Sequence, residues 1–390
     1  MKKIITTVFI SAAIIISISI SSYAQQSTSE DKLNSSDIEA NSTVIGGYGT
    51  AFYHRDFDSE TSVINLERIV LFVGHNFGDI SFFSELEVED AKVEGGDDGG
   101  EIAFEQAYLK FNLDPNHYIT AGLFIPRIGI LNENHLPNSF NGNERTQVET
   151  YIIPSTWREL GIGFYGSSPL LSLNYSFALV NGLNSASFEH GSGIRGGRYE
   201  GRNASANNLA VTGALQYYFS DFKLQVSGYY GGTVGMSSEE ADSLNLASGI
   251  FGTPVLLGEA NIQYQANGIS VKALAATISI PDAEQINNAF SNNTPKSEYG
   301  AYLEIGYDIL HMMKESEGKQ LITFLRYETL DINSSLPANA IHDKTLKQHH
   351  IIGGVTYLPV NNVVVKADMR FTDIGIESDA FFNLGIGFSF

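Results

Sequence analysis

Cysteine is absent from all 390 residues, which excludes a disulfide-stapled scaffold and any thiolate metal site. Stability therefore has to come from sheet closure or from a large core. Beyond the N-terminus no stretch approaches the roughly 20 consecutive apolar residues that a spanning helix needs, so a membrane role would not be carried by helices. Basic residues are scarce, with 23 Lys and Arg against 44 Asp and Glu and a formal net charge of −21, which closes the polybasic route to nucleic acid. No fixed-period repeat occurs, so a propeller or solenoid is not indicated. Neither Gly-x-Ser-x-Gly nor a tight Ser and His grouping is present, and no enzyme is expected. His349 and His350 with Asp343 could suggest ligands, but adjacent residues on a strand point to opposite faces. No metal site and no cofactor are assigned.

What the chain does have begins with Lys2 and Lys3 before an apolar run from Ile4 to Ile20, closed by Ser21, Ser22, Tyr23 and Ala24. Basic start, apolar middle and small-residue end describe a secretory signal peptide over 1–24. Its removal leaves 21 basic residues against 44 acidic, a net charge of −23. A polar, Ser-rich lead-in over 25–42 follows. From 43 to 390 the chain reads as alternating segments separated by turn chemistry. Among them are His117 to Ile128, Trp157 to Tyr165, Leu170 to Val180, Phe222 to Val234 and Lys319 to Thr329. The total is about 16 strands, an even number within the range of bacterial barrels.

The connections alternate as well. Gly78-Asp79, Asp114-Pro115-Asn116, Ser220-Asp221 and Asn267-Gly268 are short, and each is followed by a strand and then a longer polar loop. Short turns at one end and long loops at the other are the asymmetry of an outer-membrane barrel. The strand faces agree. Val363, Val365, Ala367 and Met369 alternate with Val364, Lys366, Asp368 and Arg370, which suits lipid outside and a wet lumen inside. Tyr217, Phe219, Tyr307, Tyr327 and Tyr357 fit an aromatic belt. The fold class expected is all-β: a transmembrane antiparallel β-barrel of about 16 strands in the bacterial outer membrane, with short periplasmic turns and long extracellular loops. Mean hydropathy near zero is compatible, because alternation hides the lipid face in the average.

Inward-phase charges are mixed. Lys110, Lys223, Lys272, Lys366, Arg326 and Arg370 face Glu85, Glu87, Glu89, Glu259, Glu304, Asp308, Glu328 and Asp368. Glu85, Glu87 and Glu89 share one face of the third strand, and three carboxylates there would attract a cation or pair with bases on neighbouring strands. The chain ends Phe381-Phe382-Asn383-Leu384-Gly385-Ile386-Gly387-Phe388-Ser389-Phe390. This ending resembles the C-terminal signature of bacterial outer-membrane proteins that is read by the barrel-assembly machinery, with Phe388 and Phe390 as the assembly signal.

From Phe104 to Tyr165 the segments Glu-Gln-Ala-Tyr-Leu-Lys-Phe, Ala-Gly-Leu-Phe-Ile-Pro-Arg-Ile-Gly-Ile-Leu-Asn-Glu and Asn-Glu-Arg-Thr-Gln-Val-Glu-Thr-Tyr-Ile-Ile-Pro-Ser-Thr-Trp-Arg-Glu-Leu-Gly resemble the phosphate-selective porin O and P family, and more closely the porin-like proteins of Bacteroidetes-type bacteria. The motif match covers about a quarter of the chain. The resemblance implies a homotrimeric porin in which residues 129–156 fold inward as a constriction loop, with Arg127, Arg145 and Arg158 lining it. The function expected is passive diffusion of small hydrophilic solutes or ions through a water-filled lumen, with outer-membrane lipid and lipopolysaccharide as surroundings. Alternatives are the phosphate or anion selectivity of the resembled family, or a surface-binding protein that uses the barrel to anchor loops such as Asn181 to Asn207, with Arg195, Arg198 and Arg202. The acidic balance points to a weak cation preference.

Overall fold

The computed structural model describes residues 41–93, 100–313 and 318–390. The expected leader over 1–24 and the lead-in up to residue 40 lie outside the described residues, as do 94–99 and 314–317. Sixteen antiparallel strands make one closed barrel: β1 (Thr43–Asp56), β2 (Ser62–Asn76), β3 (Ile80–Glu89), β4 (Ile102–Asp114), β5 (His117–Phe124), β6 (Glu159–Ser168), β7 (Leu173–Asn181), β8 (Leu209–Phe219), β9 (Phe222–Gly231), β10 (Val255–Ala266), β11 (Ile269–Ser279), β12 (Ser297–Asp308), β13 (Gln320–Ser335), β14 (Lys347–Val360), β15 (Val363–Asp373) and β16 (Ser378–Ser389). Each strand pairs with its neighbours in sequence, and β1 pairs with β16.

The closing seam sets Gly49 opposite Phe388, Ala51 opposite Ile386 and Tyr53 opposite Leu384. The terminal residue completes it: Phe390 N–H donates to Gly47 O at 2.9 Å, and Gly47 N–H donates to Phe390 O at 3.2 Å. A side chain at position 46 would collide with the buried Phe72 ring, 2.1 Å away, so glycine there lets the seam close over that ring.

Period two governs both faces. Leu384, Ile386 and Phe388 point outward with Leu224, Val226, Tyr217, Leu325 and Tyr327, and all are exposed. A continuous apolar exterior of this extent is intelligible only against lipid. Lys223, Gln225, Arg326, Lys366 and Asp368 occupy the opposite phase and are buried inside. The turn Asn267-Gly268 has both residues at positive φ, 53° and 78°, as the tightest β-hairpin turns require. Among the described residues the long loops carry two short helices, α1 (Ser238–Ser243) and α2 (Ala283–Phe290).

Several boundaries differ from the sequence reading. The strand expected over His117 to Ile128 stops at Phe124, because Pro126 has no N–H for the ladder and the chain turns into the barrel. Leu170 and Leu171 leave the pleat for a single 3-10 turn, and β7 begins at Leu173. Trp157 is not on β6: it is fully buried, with its indole N–H donating to Glu159 Oε1 at 2.7 Å. Strand β13 runs to Ser335 rather than Thr329. The interior also departs from a uniformly wet lumen. Tyr229, Leu257, Ile278, Tyr302 and Leu330 face inward and pack with loop residues Ile152, Trp157, Leu183, Phe188 and Ile286 into one apolar cluster. Toward the long-loop end of β9 to β13 both phases of a strand carry apolar residues, as in Leu256 and Leu257, because one meets lipid and the other meets inserted loops.

Deleting Phe390 removes two backbone hydrogen bonds, about 1 kcal/mol each, together with the end of the seam. The folded fraction, read by heat-modifiable gel migration, is expected to fall several-fold below that of the exposed-loop control Arg202→Ala. Equal yields would show that closure does not depend on the terminal residue.

Candidate functional site

The connection from β5 to β6, residues 125–158, lies inside the barrel. It has no strand partner, so its backbone N–H groups need side-chain acceptors. Glu149, buried on a single turn of π-helix (Val148–Ile152), accepts from Ile130 N–H at 2.6 Å and Leu131 N–H at 2.7 Å, while Tyr302 of β12 donates its hydroxyl at 2.8 Å. Glu328 of β13 accepts from Gln147 N–H at 2.7 Å and Val148 N–H at 3.3 Å. Asp368 of β15 takes the backbone and side-chain amides of Asn143, at 2.8 and 2.6 Å. Glu133 pairs with Lys223 of β9, and Glu144 with Arg370 of β15. Ile128, Ile152, Ile153 and Trp157 anchor the same segment in the apolar cluster.

Two polar cavities flank this segment. One, of about 170 Å³, is lined by Arg68, Glu87, Glu89, Glu101, Arg145, Thr156, Arg158, Arg195, Arg198 and Glu200. Arg68 of β2 bridges Glu67 at 3.1 Å and Glu87 at 2.8 Å. Glu200 receives Arg158 at 3.0 Å and Arg198 at 2.7 Å. Arg195 donates to the carbonyls of Thr150 and Ser155. Arg145 forms no ion pair among the described residues. Burial, and after it the Arg68 guanidinium, hold Arg145 below the ordinary arginine range. Burial likewise pulls Arg198 down to about 10, with Glu200 opposing it. Buried guanidiniums that repel one another favour an anion, and the carboxylates Glu67, Glu87 and Glu200 already offset part of that repulsion. The other cavity, of about 150 Å³, lies toward the short turns and is lined by Glu133, Asn138, Asn141, Lys223, Gln263 and Lys272, among others.

Of the arginines named from sequence, Arg145 and Arg158 meet at the first cavity. Arg127 does not: it donates to Tyr118 Oη at 3.0 Å and stacks over the Tyr165 ring. Glu85, Glu87 and Glu89 do share the inner face of β3, but Glu87 is paired with Arg68. Lys110 lies over the Tyr118 ring and Lys366 over the Phe140 ring. Arg370 stacks on Phe381 besides pairing with Glu144. Glu304 pairs with Arg326 at 3.1 Å and accepts from Asn141 at 3.0 Å. Asp308, expected as a lumen acid, is buried on the inward phase and caps the β12–β13 turn by accepting from Leu310 and Leu321 N–H. Phe388 and Phe390 face outward at the seam. His349 and His350 do point to opposite faces: His349 bonds to Tyr327, and His350 to Thr372 and Gln348. Arg68 was not found from sequence. Arg195 and Arg198, read as surface-loop residues, turn inward, whereas Arg202 stays exposed. Their Arg-Gly-Gly-Arg spacing was the available signal, since a single 3-10 turn at Arg195–Gly197 aims both side chains to one side.

The chain is 34% identical over 350 residues to an uncharacterized protein of Aquifex aeolicus (strain VF5), a match covering 86% of this chain and 77% of that one. No family model matches. Among solved structures, OmpF of Salmonella typhi, in complex with daunomycin, aligns over 90% of this chain and 98% of its own at 13% identity and a TM-score of 0.58. The outer membrane channel DcaP of Acinetobacter baumannii covers 90% and 98% at 12% and 0.56. The trimer form of in-vitro folded OmpT, an outer membrane protein of Vibrio cholerae, covers 90% and 100% at 11% and 0.56. At such identities the likeness is one of fold, and that fold is the porin-type outer-membrane barrel.

Replacing Glu149 by Ala orphans two buried backbone donors and a buried tyrosine hydroxyl, each costing about 1–3 kcal/mol. The inserted segment of Glu149→Ala is expected to become cleavable by trypsin at Arg127 or Arg145 in an otherwise folded barrel, with Glu149→Gln in between. A segment as protected as in the wild type would show that its apolar anchors hold it unaided.

Proposed function

This chain belongs to one family with the Aquifex aeolicus protein, and we propose that it is an outer-membrane porin whose aqueous path runs between the inserted segment and the β2–β4 wall and favours small hydrophilic anions. The observation that carries the reading is the first cavity, where five guanidiniums meet four carboxylates and Arg145 forms no direct ion pair among the described residues, although Glu105 and Glu67 act on it at longer range. Glu87, Glu89 and Glu101 line the β3–β4 side, while Arg145, Arg158, Arg195 and Arg198 come from loops. A passage with opposed charged sides also orients solutes that carry a carboxylate or phosphate at one end. Charge near the narrowest point outweighs charge on distant loops, because the Debye length is about 10 Å at 0.1 M salt. The overall acidic balance, which alone favours cations, is therefore read as secondary.

Short turns would face the periplasm, the leader would direct export, and three copies would assemble. The trimer form of the OmpT structure supports that assembly. The resemblance to phosphate-selective porins supports the anion reading through Arg145 and Arg158, though not through Arg127.

In a planar bilayer the purified protein is expected to give stepwise conductance and, under a KCl gradient, a reversal potential showing modest anion preference that grows as salt is lowered. Arg145→Ala and Arg158→Ala should each move it toward zero selectivity. Cation selectivity unaffected by these changes would overturn the anion reading, and absence of steps would leave the barrel as an anchor for surface loops.

A further inference from the structure

We infer that Glu85, Glu105 and His135 form a binding site for a divalent transition-metal cation of the zinc type, which fastens the inserted segment to the barrel wall. One ligand atom of each lies within 4.8 Å of the other two, and all three residues are buried. The site is built by a fault in the ladder: Glu85 pairs with Gln106 but Leu86 pairs with Phe104, so Glu105 is the extra residue of a β-bulge. That bulge changes the phase of β4 and turns Glu105 inward beside Glu85.

Three buried polar atoms there have no hydrogen-bond partner, Glu105 Oε1 and the two ring nitrogens of His135. Glu105 is 0% exposed; Tyr48 donates to its Oε2 at 3.1 Å, and its Oε1 has no partner. His135, from the inserted segment, is 7% exposed and neither ring nitrogen is hydrogen-bonded; its Nε2 stands 3.6 Å from Glu105 Oε2, beyond hydrogen-bonding distance. Gln106 donates to Glu85 Oε2 at 2.8 Å, a contact that orients the carboxylate. Two buried carboxylates on adjoining strands are costly together; Arg145 and Arg68 nearby offset part of that cost for Glu105, and a divalent ion held by all three ligands would offset more.

Ligands at 2.0–2.2 Å from a tetrahedral ion sit about 3.4 Å apart, so small side-chain rotations bring these atoms into range. One imidazole nitrogen with two carboxylate oxygens suits zinc-type ions better than calcium or magnesium, which take oxygen ligands. Glu87, two residues from Glu85, lines the arginine cavity, so loading this site would fix the segment beside the proposed path.

The test uses the full folded chain in detergent, stripped with EDTA and titrated with Zn2+, with bound metal measured after gel filtration and melting followed in parallel. One equivalent per chain and a raised melting temperature are expected. His135→Ala and Glu105→Gln should each weaken binding by roughly tenfold or more, with Glu85→Gln in reserve should either fail to fold. Co2+ should give a visible spectrum that His135→Ala abolishes. Binding that survives His135→Ala, or that is lost in the surface variant His190→Ala, would assign the metal elsewhere. Substoichiometric binding by the wild type would leave His135 and Glu105 as a plain ion pair and overturn the inference.

Discussion

Every backbone N–H and C=O in a membrane has to be satisfied from within the protein, because hydrocarbon offers no partner. Closure of β1 on β16 meets that requirement for the wall, down to the exchange of hydrogen bonds between Gly47 and Phe390. Residues 125–158 face the same problem in another form. They enter a barrel whose ladders are already complete, so no strand remains to pair with them.

The solution is to use carboxylates as acceptors. Glu149, Glu328 and Asp368 take backbone N–H groups of the inserted segment, and Glu304 takes the side-chain amide of Asn141. Lysine and arginine on the wall in turn hold the segment's own acids, Glu133 and Glu144. Charge that looks available in the sequence is thereby committed to structure. Where the 182–208 loop meets the inserted segment, Arg158 and Arg198 share one carboxylate, Glu200, and Arg195 is held by backbone carbonyls.

Architecture was legible because its signals are local. Period-two alternation, paired turn residues and an apolar terminal strand each depend on a few neighbouring positions, and they gave the strand number and the closed barrel, while strand ends next to Pro126, Trp157 and Leu170 shifted. Site chemistry was less legible because it depends on partners far apart in sequence. Arg145 and Arg158 could be named from one motif stretch, but Arg68 joins them only through barrel curvature, and Arg195 and Arg198 only through the turn of a distant loop. Glu105 was hidden for a different reason: its bulge breaks the alternation that otherwise tells inside from outside. Asp308 keeps the inward phase expected of it but gives its carboxylate to the N–H groups of the adjoining turn, a use that a strand-end position does not reveal in sequence.

The contrast between composition and site also decides how net charge should be weighed. Two unit charges 4 Å apart interact by about 1 kcal/mol in bulk water and about 4 kcal/mol at an effective dielectric near 20. A solute in the arginine cavity would sit in the second regime with respect to Arg145, Arg158, Arg195 and Arg198, and in the first, screened regime with respect to acids on outer loops. Glu87 and Glu200 are already held by Arg68, Arg158 and Arg198. Each therefore acts on a solute mostly as half of a dipole. Net charge is thus a poor guide to the interior of this barrel: many inward carboxylates are spent on holding the inserted segment, and Arg145 shares the field of Glu105 and Glu67 without a direct ion pair.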